Sequence, residues 1–181
     1  MLWVTRDFVH LDRVASPWLI RRFVDPQAEF VFVPWGQEHE RPPQAIAFGM
    51  PGVELASHDE AGSTFQKILK KYQLDDVALM RLGQVIKLGV DHVMHDYRPG
   101  PQDTDGQIAV GLLAISEGIL FNQSTDLQII EASFPVYDAL YANFKVHATL
   151  HEQGFKPPPP TRPGPGEKFQ FLRGVLKAAE T

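Results

Sequence analysis

The chain has 181 residues, of which 44% are hydrophobic and 10% aromatic, so it can bury the core of one folded domain. Its formal net charge of -5 disfavours contact with a phosphate backbone, and we expect no direct binding to nucleic acid. The sequence contains no cysteine, which excludes disulfides and zinc–thiolate sites.

Short apolar segments near the N-terminus predict a small sheet. Residues 2–4 and 8–11 mix apolar and polar side chains as half-buried strands do, and Glu29–Val33 is rich in Val and Phe. Residues 34–52 are dense in Pro and Gly and predict loops, with one further short strand at 45–48.

One helix is predicted between the N-terminal strands. Ser16 is a suitable N-cap, Pro17 suits the first helical position, and the Asp25-Pro26 pair is typical of a helix end. Arg21 lies four residues before Asp25, the spacing of an ion pair on a solvated helix face.

From Ser63 onward the apolar residues follow helical spacing. Ser63 is the expected cap of the first of these helices, and Pro135 predicts a kink or break near Phe134. The helix at 107–121 is almost entirely apolar and is predicted to be buried. Together, helices are expected at 63–72, 75–96, 107–121 and 125–152.

These elements predict an α+β fold, in which a small N-terminal β-sheet with one helix is followed by a larger helical part. We expect one domain over residues 1–154, with its α/β part at 1–62 and its helical part at 63–154. A proline-rich linker is expected at 155–166, and a C-terminal helical strap at 167–181.

Basic residues near the predicted N-terminal helix indicate an anion site. Arg6, Arg13 and Arg22 are the candidate anion-binding residues, together with the free N–H groups at the start of the helix. The alternative is that these arginines belong to an ordinary solvated surface.

Two polar segments carry residue types that bind metal ions. Glu54 and His58 lie four residues apart in GVELASHDE, and in VDHVMHDY the same spacing relates Asp91 to His95 and His92 to Asp96. Imidazole and carboxylate groups are ligands of Zn, Mn, Fe and Ni. The alternative is structural, because a histidine near a helix C-terminus is stabilised by the helix dipole and by a carboxylate one turn earlier.

Several segments resemble the chromate resistance family, specifically its ChrB C-terminal domain in stand-alone form. They cover most of residues 3–144 and read WVTRDFVHLDRVASPWLIRRFVDPQAEFVFVP, GVELASHDE, STFQKILKKYQLDDVALMRLGQVI and VYDALYA. The resemblance implies an association with chromate resistance. Regulators of this family carry an additional N-terminal DNA-binding region, which agrees with the expectation that this chain does not bind DNA itself. Family members often have Cys where this chain has Ser16, so any thiol chemistry at that position is lost here.

The resemblance also bears on the metal ligands, because relatives show a His-Asp pair that His95 and Asp96 match. We therefore expect a divalent transition metal site built from His58, His95, Asp96 and Glu54. The sequence shows no Walker-type loop and no G-x-G-x-x-G motif, and nothing in it indicates a nucleotide or flavin.

The expected function is a cytoplasmic protein that binds a metal ion or a tetrahedral oxyanion and supports chromate resistance as a sensor or accessory factor. One alternative is a metal-dependent enzyme that acts on a small substrate through the same His/carboxylate site. A second is an interaction domain without a ligand site, forming a homo-oligomer through the 107–121 helix or the strap. Residues 1–15 contain no secretory apolar region, and no run approaches about 18 consecutive apolar residues, so no membrane association is expected.

Overall fold

A three-stranded parallel sheet forms the N-terminal part of the structure, a computed structural model that describes residues 1–162 and 164–179. The central strand β1 (Leu2–Arg6) pairs with β2 (Glu29–Val33) on one side and with β3 (Ile46–Ala47) on the other. Parallel neighbours need a crossover connection, and a helix makes the one between β1 and β2.

That helix, α1 (Asp12–Leu19), continues as a π-helical turn over Ile20–Val24 and ends before Asp25, as predicted. The predicted cap at Ser16 is wrong, because the helix begins at Asp12, and Ser16 and Pro17 both lie inside it. Ser16 is fully buried, and its hydroxyl donates to the Asp12 carboxylate at 3.3 Å instead of capping the helix. A side-chain contact one turn back in the same helix thus takes the place of the expected cap.

The predicted strand at 8–11 is also wrong. Phe8 and Leu11 have positive φ angles of 53° and 47°, which no extended strand can contain. The Arg21–Asp25 ion pair does not form either, since Asp25 is buried and accepts a hydrogen bond from the Trp3 indole at 3.1 Å.

After a short 3-10 helix at Glu38–Glu40 and β3, the described residues form five more α-helices, which confirms the α+β prediction. Ser63 caps the first of them as predicted, in a reciprocal capping box with Gln66. The helices are α2 (Thr64–Lys71), α3 (Val77–Met94), α4 (Thr104–Asn122), α5 (Asp126–Glu152) and α6 (Gly166–Ala178).

The main core lies between the sheet and helices α1–α5, and Trp18 is one of its largest fully buried side chains. Trp18 is fully buried and stacks on Phe65 at 6.4 Å between ring centroids. Its indole N–H donates to Asp138 at 2.7 Å, and Arg22 binds the same carboxylate through two hydrogen bonds of 2.9 and 2.7 Å. Aromatic packing and a shared carboxylate therefore join α1 to α5.

α5 runs unbroken through Pro135, so the predicted break does not occur. Proline removes the intrahelical donor to the Glu131 carbonyl, but Pro135 and Glu131 are exposed and water can satisfy that group.

α4 is buried on one side only, in contrast to its predicted full burial. Ala109, Leu112 and Leu113 are buried, whereas Ile115 is 50% and Phe121 79% exposed. By length and composition alone α4 is sufficient to cross a membrane, and 28% of the qualifying window is buried. In the fold, α4 packs against α3 and α5.

The C-terminal helix α6 packs against the last turns of α5. Val175 is buried beside Val146 and Leu150, with Phe171, Leu172 and Leu176 partly buried around it. The chain between α5 and α6 has no regular structure at residues 155–162.

Candidate ligand-binding site

The turn that follows β1 is held in an unusual conformation by two side chains. The Arg13 guanidinium donates to the carbonyls of residues 6, 7 and 8 at 2.7, 2.9 and 2.8 Å. Asp126 of α5 accepts hydrogen bonds from the amides of residues 8 and 9 at 3.2 and 2.7 Å. These contacts offset the cost of positive φ at Phe8 and Leu11.

Beside this turn lies a pocket of about 220 Å³, bounded by the end of β1, the start of α1 and the last turns of α3. Its apolar wall includes Leu11, Val90 and Met94. Its polar wall is mainly basic and includes Arg6, His10, Arg13, Ser57 and His58.

Arg6 is the most deeply buried cation of the pocket, with only 9% of the residue exposed. Its Nη2 lies 3.3 Å from Ser57 Oγ and 3.4 Å from the Gly49 carbonyl, both long for hydrogen bonds. Its ion pair with Glu38 spans 3.7 Å, and its buried Nε has no hydrogen-bond partner among the described residues. Burial lowers the pKa of Arg6, against a smaller opposing effect of Glu38.

Arg13 adds a second cation next to Arg6. Burial, and then repulsion from Arg6, lower the pKa of Arg13 to about 10. The neighbouring His10 has its pKa lowered by burial and by Arg13, although Glu117 acts in the opposite direction. The pocket therefore concentrates buried positive charge that the protein's own carboxylates compensate only partly.

One carboxylate, Asp12, also lines the pocket, but its oxygens bind α2. They accept hydrogen bonds from the backbone amides of Thr64 and Phe65 at 2.6 and 2.9 Å. Burial raises the pKa of Asp12, and these hydrogen bonds oppose that shift. Asp12 thus satisfies the free N–H groups at the start of α2 and fixes that helix against α1.

His58 lies on the loop between β3 and α2, which two side chains of α2 hold in place. Lys67 donates to the carbonyls of Ala56 and Ser57 at 3.3 and 2.7 Å, and the Thr64 hydroxyl donates to Ala56 at 2.9 Å. The imidazole of His58 is consequently directed toward the C-terminal end of α3 and is 10% exposed.

At that end of α3, His58 meets Asp91 and His95. Asp91 Oδ1 lies 3.2 Å from His58 Nε2 and 3.2 Å from His95 Nδ1, and one ligand atom of each residue lies within 4.8 Å of the others. Lys87 binds the second oxygen, Oδ2, at 2.5 Å. Burial raises the pKa of Asp91, but the hydrogen bonds of Lys87 and His95 outweigh it and hold the pKa below its usual value.

The sequence comparisons identify the family of this domain. The family model described as ChrB, C-terminal domain, matches residues 3–144. The chain belongs to the ChrB C-terminal domain family. The predicted membership of the chromate resistance family is thereby confirmed, and the match contains both the pocket and the His58–Asp91–His95 cluster.

A curated relative is Protein ChrB from Cupriavidus metallidurans, which is 33% identical over 144 residues. The alignment covers 78% of this chain and 40% of that protein, so this chain spans well under half of the relative's length. No solved structure matches the chain.

The structure of this ChrB domain brings His58 and His95 together, with ring centroids 5.6 Å apart. It does not bring the other two expected metal ligands to them. Glu54 is 70% exposed and pairs with Lys71 at 2.6 Å, while Asp96 is 86% exposed and pairs with Arg98.

Among the expected anion-binding residues, Arg6 and Arg13 line the pocket of the ChrB domain. Arg22 lies elsewhere, on the π-helical turn, where Asp138 neutralises it. The start of α1 (Asp12 and Arg13) and the start of α2 (Thr64) both line the pocket, and the Asp12 carboxylate already accepts the first amides of α2.

The expected site left out three residues of this region. Asp91 was noted for its i,i+4 spacing to His95 but was not among the expected ligands, and only the fold brings both to His58. Asp12 and His10 had no local signal, because the backbone amides that Asp12 accepts are 52 and 53 residues away in the chain and His10 stands in an irregular turn.

Gly49 is the close-packed backbone position of the pocket, and we expect Gly49→Ala to destabilise the domain by about 2–3 kcal/mol. Gly49 has φ of 62°, and a Cβ there would lie 2.8 Å from Arg13 Cγ. Gly52 is the matched control, since its φ is 72° but nothing lies within 4 Å of an added Cβ. Gly52→Ala should therefore cost only the backbone strain, about 1 kcal/mol, in urea unfolding. Equal losses in the two variants would contradict the close contact with Arg13.

Proposed function

We propose that this ChrB domain binds a tetrahedral oxyanion of the chromate class in the pocket beside β1, and that it serves chromate resistance in the cytoplasm as a sensing or accessory domain. The observation that carries the proposal is the weak compensation of the buried charge of Arg6. Arg6 is only 9% exposed and the Trp35 ring covers its guanidinium at 3.6 Å, but its hydrogen bonds are long, its ion pair spans 3.7 Å, and it therefore lacks a close anion.

The chemistry of the pocket suits a small dianion. Guanidinium and imidazole groups form strong, charge-assisted hydrogen bonds to oxyanions, and Arg6, Arg13 and His58 share this pocket. His58 Nδ1 belongs to a residue that lines the pocket, is buried, and has no hydrogen-bond partner in the described part of the chain. A volume of about 220 Å³ favours a small inorganic anion over a larger organic ligand.

The negative charge of Asp12 is consistent with this role. Both of its oxygens accept hydrogen bonds from α1 or α2, including the two backbone amides at 2.6 and 2.9 Å. Because those donors compensate its charge, repulsion of a bound anion is reduced. The remaining polar groups of the pocket wall are basic or neutral donors.

Arg6→Gln tests the proposal in isothermal titrations with sodium chromate and, as a second tetrahedral dianion, sodium sulfate. Loss of one buried charge-assisted contact of about 2 kcal/mol should weaken chromate binding roughly 30-fold. Arg22→Gln is the matched control, because Arg22 is already neutralised by Asp138 outside the pocket, and it should bind chromate as the wild type does.

Circular dichroism of both variants checks that they remain folded. Equal chromate affinity of the wild type and folded Arg6→Gln would remove Arg6 from the site. Failure of the wild type to bind either anion would overturn the proposed function.

A further inference from the structure

The side chains at the end of α3 form a second site that the oxyanion pocket does not require. We propose that His58, Asp91 and His95 bind a divalent first-row transition metal ion, and that this ion strengthens binding of the oxyanion in the adjacent pocket. The coupling rests on the proposed oxyanion function, whereas metal binding does not.

The distances fit one ion. Zinc lies about 2.0–2.2 Å from imidazole nitrogen and carboxylate oxygen, so two ligands of a tetrahedral ion are about 3.4 Å apart. The distances from Asp91 Oδ1 to His58 Nε2 and to His95 Nδ1 are each 3.2 Å. The three ligand atoms come from a loop and from one helix end, which small rotamer changes can adjust around the ion.

The donor set indicates the class of ion. Two imidazoles and one carboxylate are typical of zinc and of ferrous iron, while a calcium or magnesium site would be made of oxygen ligands. Three protein ligands leave at least one coordination position open. His95 is 58% exposed, so the ion can enter from solvent.

Lys87 would support the carboxylate ligand rather than compete for the same atom. Its ammonium holds Asp91 Oδ2 at 2.5 Å, which leaves Oδ1 directed at the two histidines. Such outer contacts orient metal ligands. The positive charge of Lys87 opposes a cation, but this side chain is 35% exposed and its charge is partly screened by water.

His58 physically connects the two sites. Its Nε2 faces Asp91, and its Nδ1 is the buried atom without a partner within the described chain. When a metal ion occupies Nε2, the proton of a neutral imidazole must reside on Nδ1. His58, which lines the pocket, then carries a hydrogen-bond donor at Nδ1, and the charge of the ion adds to the attraction for a dianion.

Titration of metal-free protein with zinc chloride tests the metal site. We expect one zinc ion per chain, with affinity at least about tenfold weaker in His95→Ala and in Asp91→Asn. Glu54→Gln and Asp96→Asn are matched controls, since those carboxylates pair with Lys71 and Arg98 away from the cluster, and both should bind zinc as the wild type does.

Cobalt(II) gives an independent readout, because its visible absorption reports the coordination of the bound ion. The wild type should show a spectrum that His95→Ala lacks. If folded His95→Ala and Asp91→Asn bind zinc as tightly as the wild type, or if the wild type binds none, the metal site is overturned.

The coupling is tested by titrating chromate with and without saturating zinc. Zinc should tighten chromate binding at least about fivefold in the wild type, and chromate should tighten zinc binding by the same factor. Unchanged chromate affinity would overturn the coupling and leave the metal site standing. Zinc binding by both wild type and Arg6→Gln, with no chromate binding by the wild type, would instead show that the oxyanion function fails while the metal site is correct.

Discussion

Replacement of Asp12 by alanine is expected to lower the free energy of unfolding by about 3 kcal/mol. The Asp12 carboxylate accepts the backbone amides of Thr64 and Phe65, and both amides are buried. Removing the acceptor leaves two buried N–H groups without a partner, and each such group costs about 1–3 kcal/mol. Chemical denaturation monitored by circular dichroism measures the loss.

A normal helix cap provides the control for Asp12. Thr125 accepts a single amide, that of Gln128, at an exposed helix start, so Thr125→Ala should cost only about 1 kcal/mol. Similar losses in Asp12→Ala and Thr125→Ala would show that Asp12 is no more than an ordinary cap.

Asp12→Ala should also weaken chromate binding, because Asp12 fixes the position of Thr64 and both residues line the pocket. Asp12→Asn keeps one acceptor oxygen and should recover part of the lost stability. This rescue separates the hydrogen bonds of the side chain from its charge.

Trp18→Ala is expected to have the largest effect on stability, a loss of about 4 kcal/mol. Trp18 has no exposed surface and contacts the rings of Phe65, Phe23 and Tyr137 at centroid distances of 6.4, 5.5 and 5.9 Å. The substitution would leave a cavity between α1, α2 and α5 and remove the indole donor to Asp138. Thermal and urea unfolding should both show that Trp18→Ala is less stable than Asp12→Ala.

Trp35→Ala is the control for Trp18. Trp35 is 55% exposed, lies 3.6 Å from the Arg6 guanidinium and donates an exposed hydrogen bond to the Asp7 carbonyl at 3.0 Å, so its removal should cost only about 1 kcal/mol. Comparable destabilisation by the two substitutions would contradict the assignment of Trp18 to the main core.

Local patterns were sufficient for most of the helical part. Ser63 and Gln66 form the capping box because both partners lie within one turn of α2, and apolar spacing predicted α2, α3 and α5. Local signals misplaced the start of α1, because Ser16 is buried inside the helix and donates to Asp12 one turn earlier. Asp12 itself binds the start of α2, which is a tertiary contact that a local pattern cannot show.

The basic residues and histidines of the candidate site were predictable from the sequence, but its carboxylate was not. Residue types and the resemblance to the ChrB domain indicated Arg6, Arg13, His58 and His95, all of which line the pocket or the adjoining cluster. The carboxylate could not be chosen in the same way, since Asp91 lies one helical turn before His95, Asp96 directly follows it, and both are aspartates. Only the direction in which the last turn of α3 faces His58 selects Asp91.

By itself the sequence determined the family, the α+β class and the residue types available for chemistry, because these depend on composition and on patterns within a few turns or strands. Tertiary structure alone decided that Asp12 binds α2, that Arg6 is buried with weak compensation, and that His58 meets Asp91 and His95. The physical reason is that hydrogen bonding and charge compensation depend on distance in space, and the chain brings residues more than 30 positions apart into contact only after its apolar faces have packed.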